Sequence, residues 1–472
     1  MGSGKVTDWQ GKNVTVAGLG VSGVPAAKVL HGLGARVTVV NDGDDARARE
    51  QAAELEALGV TVRLGDGATL PEGTELIVTA PGWKPDKPLF AAAHGAGVPV
   101  WGDVELAWRL RKPDAAPWLA VTGTNGKTTT VQMLASILRA AGLRTAAVGN
   151  IGVSLLDAVL GEERYDVLAV ELSSYQLHWA PSLRAHSAAV LNLAPDHLDW
   201  HGSMEAYAAD KGRVYEGNRV ACVYNVADKA TEDLVREADV EEGCRAIGFT
   251  LGTPGPSQLG VVDGILVDRA FVENRHRNAQ ELAEVSDVSP PAPHNVANAL
   301  AAAALARAYG VPASAVRDGL RAFTPDAHRI AHVADVDGVA YVDDSKATNT
   351  HAAQASLAAY ESIVWIAGGL AKGATFDELV AGSAKRLRGA VLIGADRALI
   401  REALARHAPE VPVVDLDRTD TGAMLQAVQE ARRLARPGDT VLLAPACASM
   451  DMFANYNRRG EAFAQAVREL GA

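Results

Sequence analysis

The stretch "VTGTNGKTTT", residues 121–130, decides how the rest of this sequence is interpreted. It matches the end of the phosphate-loop pattern G-x-x-x-x-G-K-[ST] with Gly126, Lys127 and Thr128, but Val121 stands where the pattern has glycine. An apolar strand, "WLAV", precedes it and an amphipathic helix follows. In that context the loop favours binding of phosphate, because its N–H groups turn inward, the helix N-terminus adds positive potential and Lys127 supplies a full charge. An ordinary strand-to-helix turn rarely places lysine there, so we interpret the stretch as a variant phosphate loop.

Outward from this loop, the chain alternates short apolar runs with amphipathic segments. Residues 130–142, "TVQMLASILRAAG", place Val131, Leu134, Leu138 and Ala141 on one helix face and end at Gly142. This alternation predicts an α/β protein with parallel sheets. The predicted buried strands are "NVTVAGLG", "ARVTVV", "ELIVTA", "WLAVTGT", "DVLAVEL", "AAVLNL", "SIVWIAGG", "GAVLIGA" and "TVLLAPA".

Length and composition narrow the class of protein. The 472 residues suggest about three domains, and 48% hydrophobic residues supply large cores. A net charge of −12 disfavours binding to duplex nucleic acid. Three widely separated cysteines argue against a disulfide framework or a zinc site. Without an apolar signal region or membrane-length run, we expect a soluble, cytoplasmic protein with no membrane partner.

Two joints suggest where the predicted domains meet. The first is "RKPDAAPW", residues 111–118, and the second lies near "GVPASAVRDGLRAFTPDAHR". Residues 251–293 are rich in Gly, Pro and polar residues, with a short hairpin signal at "GVVDGILV", and we expect an excursion from the central domain. Residues 230–290 match no known motif.

A second glycine-rich motif lies near the start of the chain. In "VTVAGLGVSG", Gly18, Gly20 and Gly23 follow a predicted strand in the spacing G-x-G-x-x-G, and Asp42 ends the next strand. This pattern indicates either dinucleotide binding, as in a dehydrogenase, or a Rossmann-like domain for another nucleotide diphosphate. The phosphate loop downstream favours the second interpretation.

Polar residues at the ends of the central strands are candidate metal ligands. Glu171 ends the strand in "DVLAVELSSYQL", where a carboxylate can hold Mg²⁺, although it could equally cap the next helix. His197 follows another strand in "LNLAPDHLDWHG". On the predicted helix "MEAYAADKGRVY", Tyr207 and Lys211 share one face, and an ordinary solvated lysine would be the simplest interpretation.

Polar residues also mark the later segments. In "HNVANALAAA" we expect Asn295 to cap a helix, and Asn298 is unusual within an alanine-rich helix. "AYVDDSKATN" predicts a strand ending in Asp344, Ser345 and Lys346. "IAGGLAKG" and "LAPACASMDMF" predict strands that end in loops of small residues.

Together these motifs resemble the Mur ligase family of ATP-dependent amino-acid ligases in peptidoglycan precursor synthesis. "TGTNGKTTT" resembles that family's ATP loop, while "GNIG", "ELSSYQL", "DHLDWHG", "HNVANALAA", "DDSKATN" and "APACASMDMF" resemble its D-glutamate-adding branch most closely. The resemblance runs nearly end to end. It implies a Rossmann-like UDP-sugar domain (1–113), a central ATP-binding domain (114–325), and a Rossmann-like C-terminal domain (326–472) that closes over ATP and binds D-glutamate.

The resemblance also implies the reaction and the roles of residues. ATP would phosphorylate the alanine carboxylate of UDP-N-acetylmuramoyl-L-alanine, and the amine of D-glutamate would attack the acyl phosphate, in a protein expected to be a monomer. The implied catalytic residues are Lys127, His197, Lys211 and Lys346, and the implied ligands of two Mg²⁺ ions are Thr128, Glu171, His197 and a carbamylated Lys211. The implied ATP contacts are Gly123, Thr124, Asn125, Gly126, Lys127, Thr128, Thr129, Asn295, Asn298, Arg329 and Asp344. The implied substrate contacts are Val21, Ser22, Asp42 and Gly82 for the UDP part, Asn150 and Ser173 for the acyl part, and Thr348, Lys372, Ser449 and Tyr456 for D-glutamate.

Three alternatives remain at this point. Within the same class the chain could be another Mur ligase or a folylpolyglutamate synthase-like ligase, which "DDSKATN" disfavours. "GLGVSG" leaves open a nicotinamide-dependent dehydrogenase. A non-catalytic ATP-binding scaffold is the third alternative.

Overall fold

The computed structural model describes residues 8–418, 420 and 422–470, which form three sheets flanked by helices. Residues up to Val288, together with Ala297–Phe323, make one compact unit that holds the first two sheets. Ser289–Val296 and the described residues from Thr324 onward make a second unit with the third sheet. The predicted α/β class with three sheet-containing regions is confirmed. The boundaries 1–113, 114–325 and 326–472 stay a prediction.

The first sheet has five parallel strands in the order β3-β2-β1-β4-β5. The reversal of strand order between β1 and β4 opens a crevice at their carboxyl ends, as in other Rossmann-like sheets. The strands are β1 (Asn13–Ala17), β2 (Arg36–Asn41), β3 (Thr61–Leu64), β4 (Leu76–Thr79) and β5 (Val100–Gly102), and the helices are α1 (Gly23–Gly32), α2 (Ala46–Glu56), α3 (Pro88–Gly95) and α4 (Asp103–Leu110).

The second sheet has nine strands in the order β14-β13-β12-β11-β10-β9-β6-β8-β7. Neighbouring strands from β12 to β7 are parallel, whereas β13 pairs antiparallel with both β12 and β14. Its strands are β6 (Trp118–Thr122), β7 (Ala147–Gly149), β8 (Leu168–Glu171), β9 (Ser187–Val190), β10 (Ala221–Asn225), β11 (Arg245–Phe249), β12 (Gln258–Val262), β13 (Ile265–Asp268) and β14 (Gln280–Glu284). Its helices are α5 (Lys127–Ala140), α6 (Leu155–Leu160), α7 (Ser174–His178), α8 (Leu198–His201), α9 (Met204–Gly212), α10 (Lys229–Glu237), α11 (Pro293–Ala308) and α12 (Ala313–Ala322), with 3-10 turns at Arg213–Tyr215 and Val285–Asp287.

The third sheet has six strands in the order β15-β16-β20-β17-β18-β19, and all neighbours are parallel except β15 and β16. Its strands are β15 (Ala331–Val336), β16 (Val339–Asp343), β17 (Ile363–Gly368), β18 (Leu387–Ile393), β19 (Val413–Asp415) and β20 (Thr440–Leu443). Its helices are α13 (Thr350–Leu357), α14 (Asp377–Ser383), α15 (Arg397–His407), α16 (Ala423–Leu434) and α17 (Tyr456–Leu470), with a 3-10 turn at Ala384–Arg386.

All nine strands predicted from apolar runs are present, because each is buried on both faces and carries a continuous apolar pattern. The helix after the phosphate loop ends where predicted, with Gly142 at φ 78°. The predicted hairpin is also present as β12 and β13. It is not an excursion, however, because β12 pairs with β11 and so extends the central sheet.

Two of the cysteines, although widely separated in the sequence, lie close together in the structure. The Sγ atoms of Cys222 and Cys244 are 3.9 Å apart, although all three cysteines are free thiols. The two residues meet because β10 and β11 are adjacent parallel strands, with Cys222 opposite Ala246. Sequence distance therefore says little about spatial distance across a sheet.

Candidate active site

The phosphate loop joins the carboxyl end of β6 to the N-terminus of α5. Gly123 and Gly126 take φ values of 149° and 85°, which side chains other than glycine rarely adopt. A Cβ on Gly126 would also lie 2.4 Å from Oδ1 of Asn298, so Asn298 closely approaches the loop. Thr128 and Thr129 occupy the first turn of α5. The loop thus directs the helix N-terminus towards a bound anion, as its sequence predicts.

The loop is held in place by the segment that follows the neighbouring strand β9. The N–H of Asn125 donates to Oδ1 of Asn192 at 2.8 Å, and Nδ2 of Asn192 donates back to the carbonyl of Asn125 at 3.0 Å. The buried hydroxyl of Thr124 accepts from the N–H of Ala194 at 3.0 Å and lies 3.1 Å from the hydroxyl of Tyr207. The sequence analysis missed Asn192, whose only signal is an amide residue in the strand-end segment "LNLAPD".

Two lysines donate to one carbonyl of this loop. Nζ of Lys127 lies 2.9 Å from the carbonyl oxygens of Gly123 and Thr124, and Nζ of Lys211 lies 2.8 Å from that of Gly123. Lys211 is 2% exposed on α9, with its ammonium 4.7 Å from the ring centre of Tyr207. Burial, and then the charge of Lys127, lower the pKa of Lys211 well below its ordinary value. The interpretation of Lys211 as a solvated lysine is therefore wrong.

Glu171 lies at the end of β8, as predicted, and is 2% exposed. Its Oε1 accepts from Nδ2 of Asn150 at 2.9 Å, whereas Oε2 is buried and has no hydrogen-bond partner among the described residues. The negative charge of Glu171 also raises the pKa of Lys211, and so partly opposes the lowering caused by burial and by Lys127. Ser173, the next candidate, caps α7 and exchanges hydrogen bonds with Gln176.

His197 does not end a strand, since β9 stops at Val190, but lies in the following loop at the N-cap of α8 with φ 54°. Its ring is 4.9 Å from that of Tyr175. Burial lowers its pKa, the charge of Asp196 opposes this, and the charges of Lys127 and Lys211 lower it further. The lowered pKa favours the neutral imidazole, which is the form of histidine that binds metal ions.

The N-terminal candidates lie at the crevice of the first sheet. Val21 is 84% exposed and Ser22 directly precedes α1, both after β1, while Gly82 follows β4. The carbonyl of Gly82 accepts from Nε1 of Trp200 at 3.3 Å, which joins this crevice to the segment containing His197.

Asp42 follows β2 in the same sheet and pairs with Lys87 at 2.6 Å. A Cβ on Gly23 would lie 1.9 Å from the carbonyl oxygen of Gly18. That close approach is the role of the third glycine in the fingerprint.

The second unit carries the remaining ATP candidates. Asp344 follows β16 and accepts from the N–H of Ile330 at 3.3 Å and from the hydroxyl of Ser356. Burial raises the pKa of Asp344 to about 6, partly offset by hydrogen bonds and by the charge of Arg329. Asn295 is not a cap, because α11 begins at Pro293 and its first turn contains Asn295, whose Nδ2 donates to the carbonyl of Pro290 at 3.3 Å. Proline starts helices readily because its missing N–H is not needed there.

The proposed D-glutamate contacts lie in loops and a helix start of the same unit. Tyr456 is the first residue of α17, and its ring centre lies 4.0 Å from Nζ of Lys346, the proposed catalytic lysine of this unit. Thr348 is half-buried, Lys372 is exposed with φ 50°, and Ser449 is buried.

Arg459 is a residue of this unit that the sequence analysis missed. It is 1% exposed and donates from Nη2 to the carbonyl of Ser345 at 2.8 Å and from Nη1 to that of Cys447 at 3.1 Å. Its Nε also lies 3.0 Å from Oγ of Ser345. One buried guanidinium therefore connects "DDSKATN" to "APACAS". The sequence does not reveal its burial, because Arg459 lies in the charged run "YNRRGEAF" next to exposed residues.

The residues around the phosphate loop fit a Mg²⁺ site. The buried, unpartnered Oε2 of Glu171 is an oxygen donor, which Mg²⁺ prefers. Within the described ranges, no group of three or more His, Cys, Asp and Glu side chains could hold a metal ion by itself. Mg²⁺ commonly binds through one or two carboxylates together with substrate phosphates and water. A site completed by nucleotide phosphates is consistent with this donor set.

No helix in the described part of the chain is both long and apolar enough to cross a bilayer.

The site combines a phosphate loop that carries a lysine, a buried carboxylate at the end of the adjacent strand, and a Rossmann-like crevice. Together these features define a nucleotide-dependent phosphoryl-transfer enzyme. Three family models match the chain: "Mur ligase middle domain" at residues 121–306, "Mur ligase, glutamate ligase domain" at 328–447, and "Pyridine nucleotide-disulphide oxidoreductase" at 13–78. The chain belongs to the Mur ligase family, and within it to the UDP-N-acetylmuramoylalanine–D-glutamate ligases.

The relatives cover the chain from end to end. The chain is 90% identical to UDP-N-acetylmuramoylalanine–D-glutamate ligase of Streptomyces coelicolor, covering 99% of this chain and 100% of that protein. It is 61% identical to the ligase of the same name from Thermobifida fusca, with 98% and 99% covered. The crystal structure of UDP-N-acetylmuramate–alanine ligase from Thermotoga maritima shares the fold, with a TM-score of 0.56 at 17% identity and 97% and 99% covered. The chain is therefore an ATP-dependent ligase that forms an amide bond, and the oxidoreductase match reflects its N-terminal Rossmann-like architecture.

Proposed function

We propose that this protein joins D-glutamate to UDP-N-acetylmuramoyl-L-alanine at the expense of ATP, in the cytoplasmic synthesis of peptidoglycan precursors. The observation that carries the proposal is the convergence of Lys127 and Lys211 on the carbonyl of Gly123, with Glu171 nearby. The full-length relatives supply the identity of the two substrates.

The chemistry requires positive charge where the phosphate loop lies. A carboxylate oxygen of the alanine attacks the γ-phosphorus of ATP, the bond to the bridging oxygen breaks, and ADP leaves. The amine of D-glutamate then attacks the acyl carbon, phosphate leaves, and the nitrogen loses a proton. Negative charge gathers on phosphate and acyl oxygens throughout, so Lys127 and the N–H groups of the loop stabilise the transition states.

Glu171, His197, Thr128 and a carbamylated Lys211 would hold two Mg²⁺ ions in this proposal. When bound, Mg²⁺ neutralises charge on the phosphate oxygens. The ammonium form of Lys211 has only donors and cannot ligate a cation. Addition of its neutral amine to CO₂, with loss of a proton, gives a carbamate whose oxygens can ligate Mg²⁺. The carbamate nitrogen keeps one N–H, which can still donate to the carbonyl of Gly123.

The remaining contacts are proposed residue by residue. Gly123, Thr124, Asn125, Gly126 and Thr129 would contact the ATP phosphates, and Asn295, Asn298, Arg329 and Asp344 the rest of the nucleotide, with Lys346 near the transferred phosphate. Val21, Ser22, Asp42 and Gly82 would contact the UDP part, Asn150 and Ser173 the acyl part, and Thr348, Lys372, Ser449 and Tyr456 D-glutamate.

Release of ADP in the presence of UDP-N-acetylmuramoyl-L-alanine and a panel of amino acids tests the proposal. We expect D-glutamate to be the preferred acceptor and L-glutamate, L-lysine and meso-diaminopimelate to be poor ones. Since a charged hydrogen bond contributes about 1.5–3 kcal/mol, two anchored carboxylates suffice to exclude neutral amino acids. A better rate with a diamino acid would refute the proposal. Light scattering during size-exclusion chromatography tests the predicted monomer.

A further inference from the structure

A cavity of about 620 Å³ lies in the central part of the first unit, in the region that matched no sequence motif. Its walls come from the first residue of β11, Arg245, from the segment 270–276 between β13 and β14, and from Arg307 in the last turn of α11. The cavity is a depression largely open to solvent, and its volume lies within the range of small-molecule sites. Nothing in the proposed ligation reaction uses these residues.

The cavity opens at the edge of the sheet opposite the phosphate loop. Arg245 pairs with Ala221 of β10, Ala221 with Ser187 of β9, and Ser187 with Leu119 near the start of β6. These strands are parallel, so Arg245 is level with the amino end of β6, whereas the phosphate loop follows its carboxyl end. The cavity is therefore distinct from the nucleotide site.

The floor of the cavity is a turn fixed by one buried carboxylate. Asp268, which is fully buried, accepts from the N–H groups of Ala270 and Phe271 at 2.6 and 2.9 Å and from Nε of Arg307 at 2.9 Å. Arg307 also donates to the carbonyls of Phe271 at 3.1 Å and Val311 at 2.7 Å. Asp268 and Arg307 therefore neutralise each other and hold the turn rigidly.

The outer wall is tethered by a further arginine. The guanidinium of Arg269 donates to the carbonyl of Pro254 at 2.9 Å and to those of Arg275 and His276 at 3.4 and 3.2 Å. These bonds fix the backbone of Arg275 and His276, and both residues line the cavity. The segment is thus preorganised for a ligand.

Two arginines, Arg245 and Arg275, lie close together in this cavity. Arg245 donates to the carbonyl of Ala270 at 2.6 Å and lies 5.1 Å from the ring centre of Phe271. Burial and then the charge of Arg275 lower the pKa of Arg245, and the charge of Asp268 partly opposes this. Within the described residues, neither Arg245 nor Arg275 forms an ion pair at the 4.0 Å limit. In a chain of net charge −12, two adjacent unpaired guanidinium groups indicate an anion site.

We propose that this cavity binds a small phosphate-bearing molecule, with Arg245 and Arg275 contacting the phosphate and Phe271 and Val272 forming an apolar wall. Arginine suits this role because its planar fork of N–H donors matches phosphate oxygens in pairs. Asn274 and His276 add polar groups at the rim.

Calorimetric titration of the full chain tests the proposal, with the phosphate loop saturated by a non-hydrolysable ATP analogue and Mg²⁺. The probes are inorganic phosphate and AMP, which separate an inorganic from an organic phosphate ligand. We expect one further equivalent of at least one probe to bind, and Arg275→Gln to weaken that binding roughly ten- to a hundredfold. No hydrogen bond from the Arg275 side chain is found among the described residues, so this variant should keep the wild-type Tm.

Arg277→Gln is the matched control, because Arg277 is exposed on the same segment and does not line the cavity. It should bind the probes as the wild type does. Absence of a second binding event with either probe at millimolar concentration would overturn the proposal, as would equal affinity in Arg275→Gln and Arg277→Gln. The measurement involves no turnover, so its outcome is independent of the ligation reaction.

Discussion

Lys127 and Lys211, 84 positions apart in the sequence, donate to the same carbonyl oxygen, that of Gly123. One lysine comes from the phosphate loop and the other from α9, so two elements place positive charge at a single point. A phosphate group entering the loop would meet Lys127 directly. The two lysines nevertheless have different predicted roles, and each can be tested separately.

Lys127→Ala is expected to lower kcat/KM for ligation by at least about a hundredfold, because removing one preorganised donor to a developing anion has effects of that size. The fold should persist, since the side chain is only half-buried at a loop surface. Lys229→Ala is the control, because that side chain is 79% exposed at the start of α10. Near-normal turnover by Lys127→Ala would exclude the phosphate-loop role.

Lys211→Ala and Lys211→Arg are both expected to be nearly inactive, because neither residue can form a carbamate. Small carboxylic acids such as acetate should partly restore Lys211→Ala, since they supply an oxygen ligand in the space left by the side chain. Steady-state rates with increasing acetate check this, with Lys127→Ala as the variant that acetate should not rescue. Full activity of Lys211→Arg would show that positive charge alone suffices.

The sequence alone predicts the local part of this site well. The strand–turn–helix arrangement around Gly126 and the position of Glu171 at the end of β8 are confirmed, because neighbouring residues encode a strand, a glycine-rich turn and a helix. Asn192 could not be predicted, since it meets Asn125 across 67 positions only because β9 lies beside β6. Strand order is a tertiary property that no local pattern contains.

Burial of charged residues was harder to predict for a related reason. Lys211 lies on a short helix with mixed polarity, and such a lysine is usually solvated. Arg459 follows another arginine, Arg458, and nothing in their spacing says which one faces the interior. In both cases the side chain's surroundings are set by segments distant in the sequence.

Asp344→Asn should change how stability depends on pH. The carboxyl of Asp344 has a folded-state pKa of about 6, raised from 3.8 by burial. Between these values the folded protein holds more protons than the unfolded chain, so this group reduces stability as pH rises through that window. Because one pKa unit corresponds to about 1.4 kcal/mol, the free energy of unfolding should fall by about 3 kcal/mol across this pH window.

Calorimetric Tm values from about pH 4.5 to 7.5 test this expectation. The Tm of wild type relative to Asp344→Asn should fall as pH rises towards 6 and level off above it. Asp335→Asn is the control, because that side chain is 68% exposed on the neighbouring strand β15. A constant difference between wild type and Asp344→Asn would mean that the buried carboxyl is not neutral at low pH.

Arg459→Met is expected to destabilise the second unit and to raise KM for D-glutamate. The guanidinium of Arg459 bonds to Ser345 and Cys447, which follow the adjacent parallel strands β16 and β20. Its removal leaves two buried carbonyl groups without a donor, and each such group costs about 1–3 kcal/mol. Arg459→Lys should restore little, because an ammonium cannot reach three acceptors with the geometry of a guanidinium fork.

Arg458→Met is the matched control for Arg459→Met, because the adjacent side chain of Arg458 is 69% exposed and pairs with Glu461. Calorimetry should therefore show a Tm well below wild type for Arg459→Met and Arg459→Lys, and little change for Arg458→Met. Steady-state kinetics should show the KM for D-glutamate rising more than kcat falls in Arg459→Lys, because Ser345 and Cys447 lie three and two positions from the proposed D-glutamate contacts Thr348 and Ser449. If Arg459→Met were as stable as Arg458→Met and bound D-glutamate as well, the buried arginine would have no part in organising these two segments.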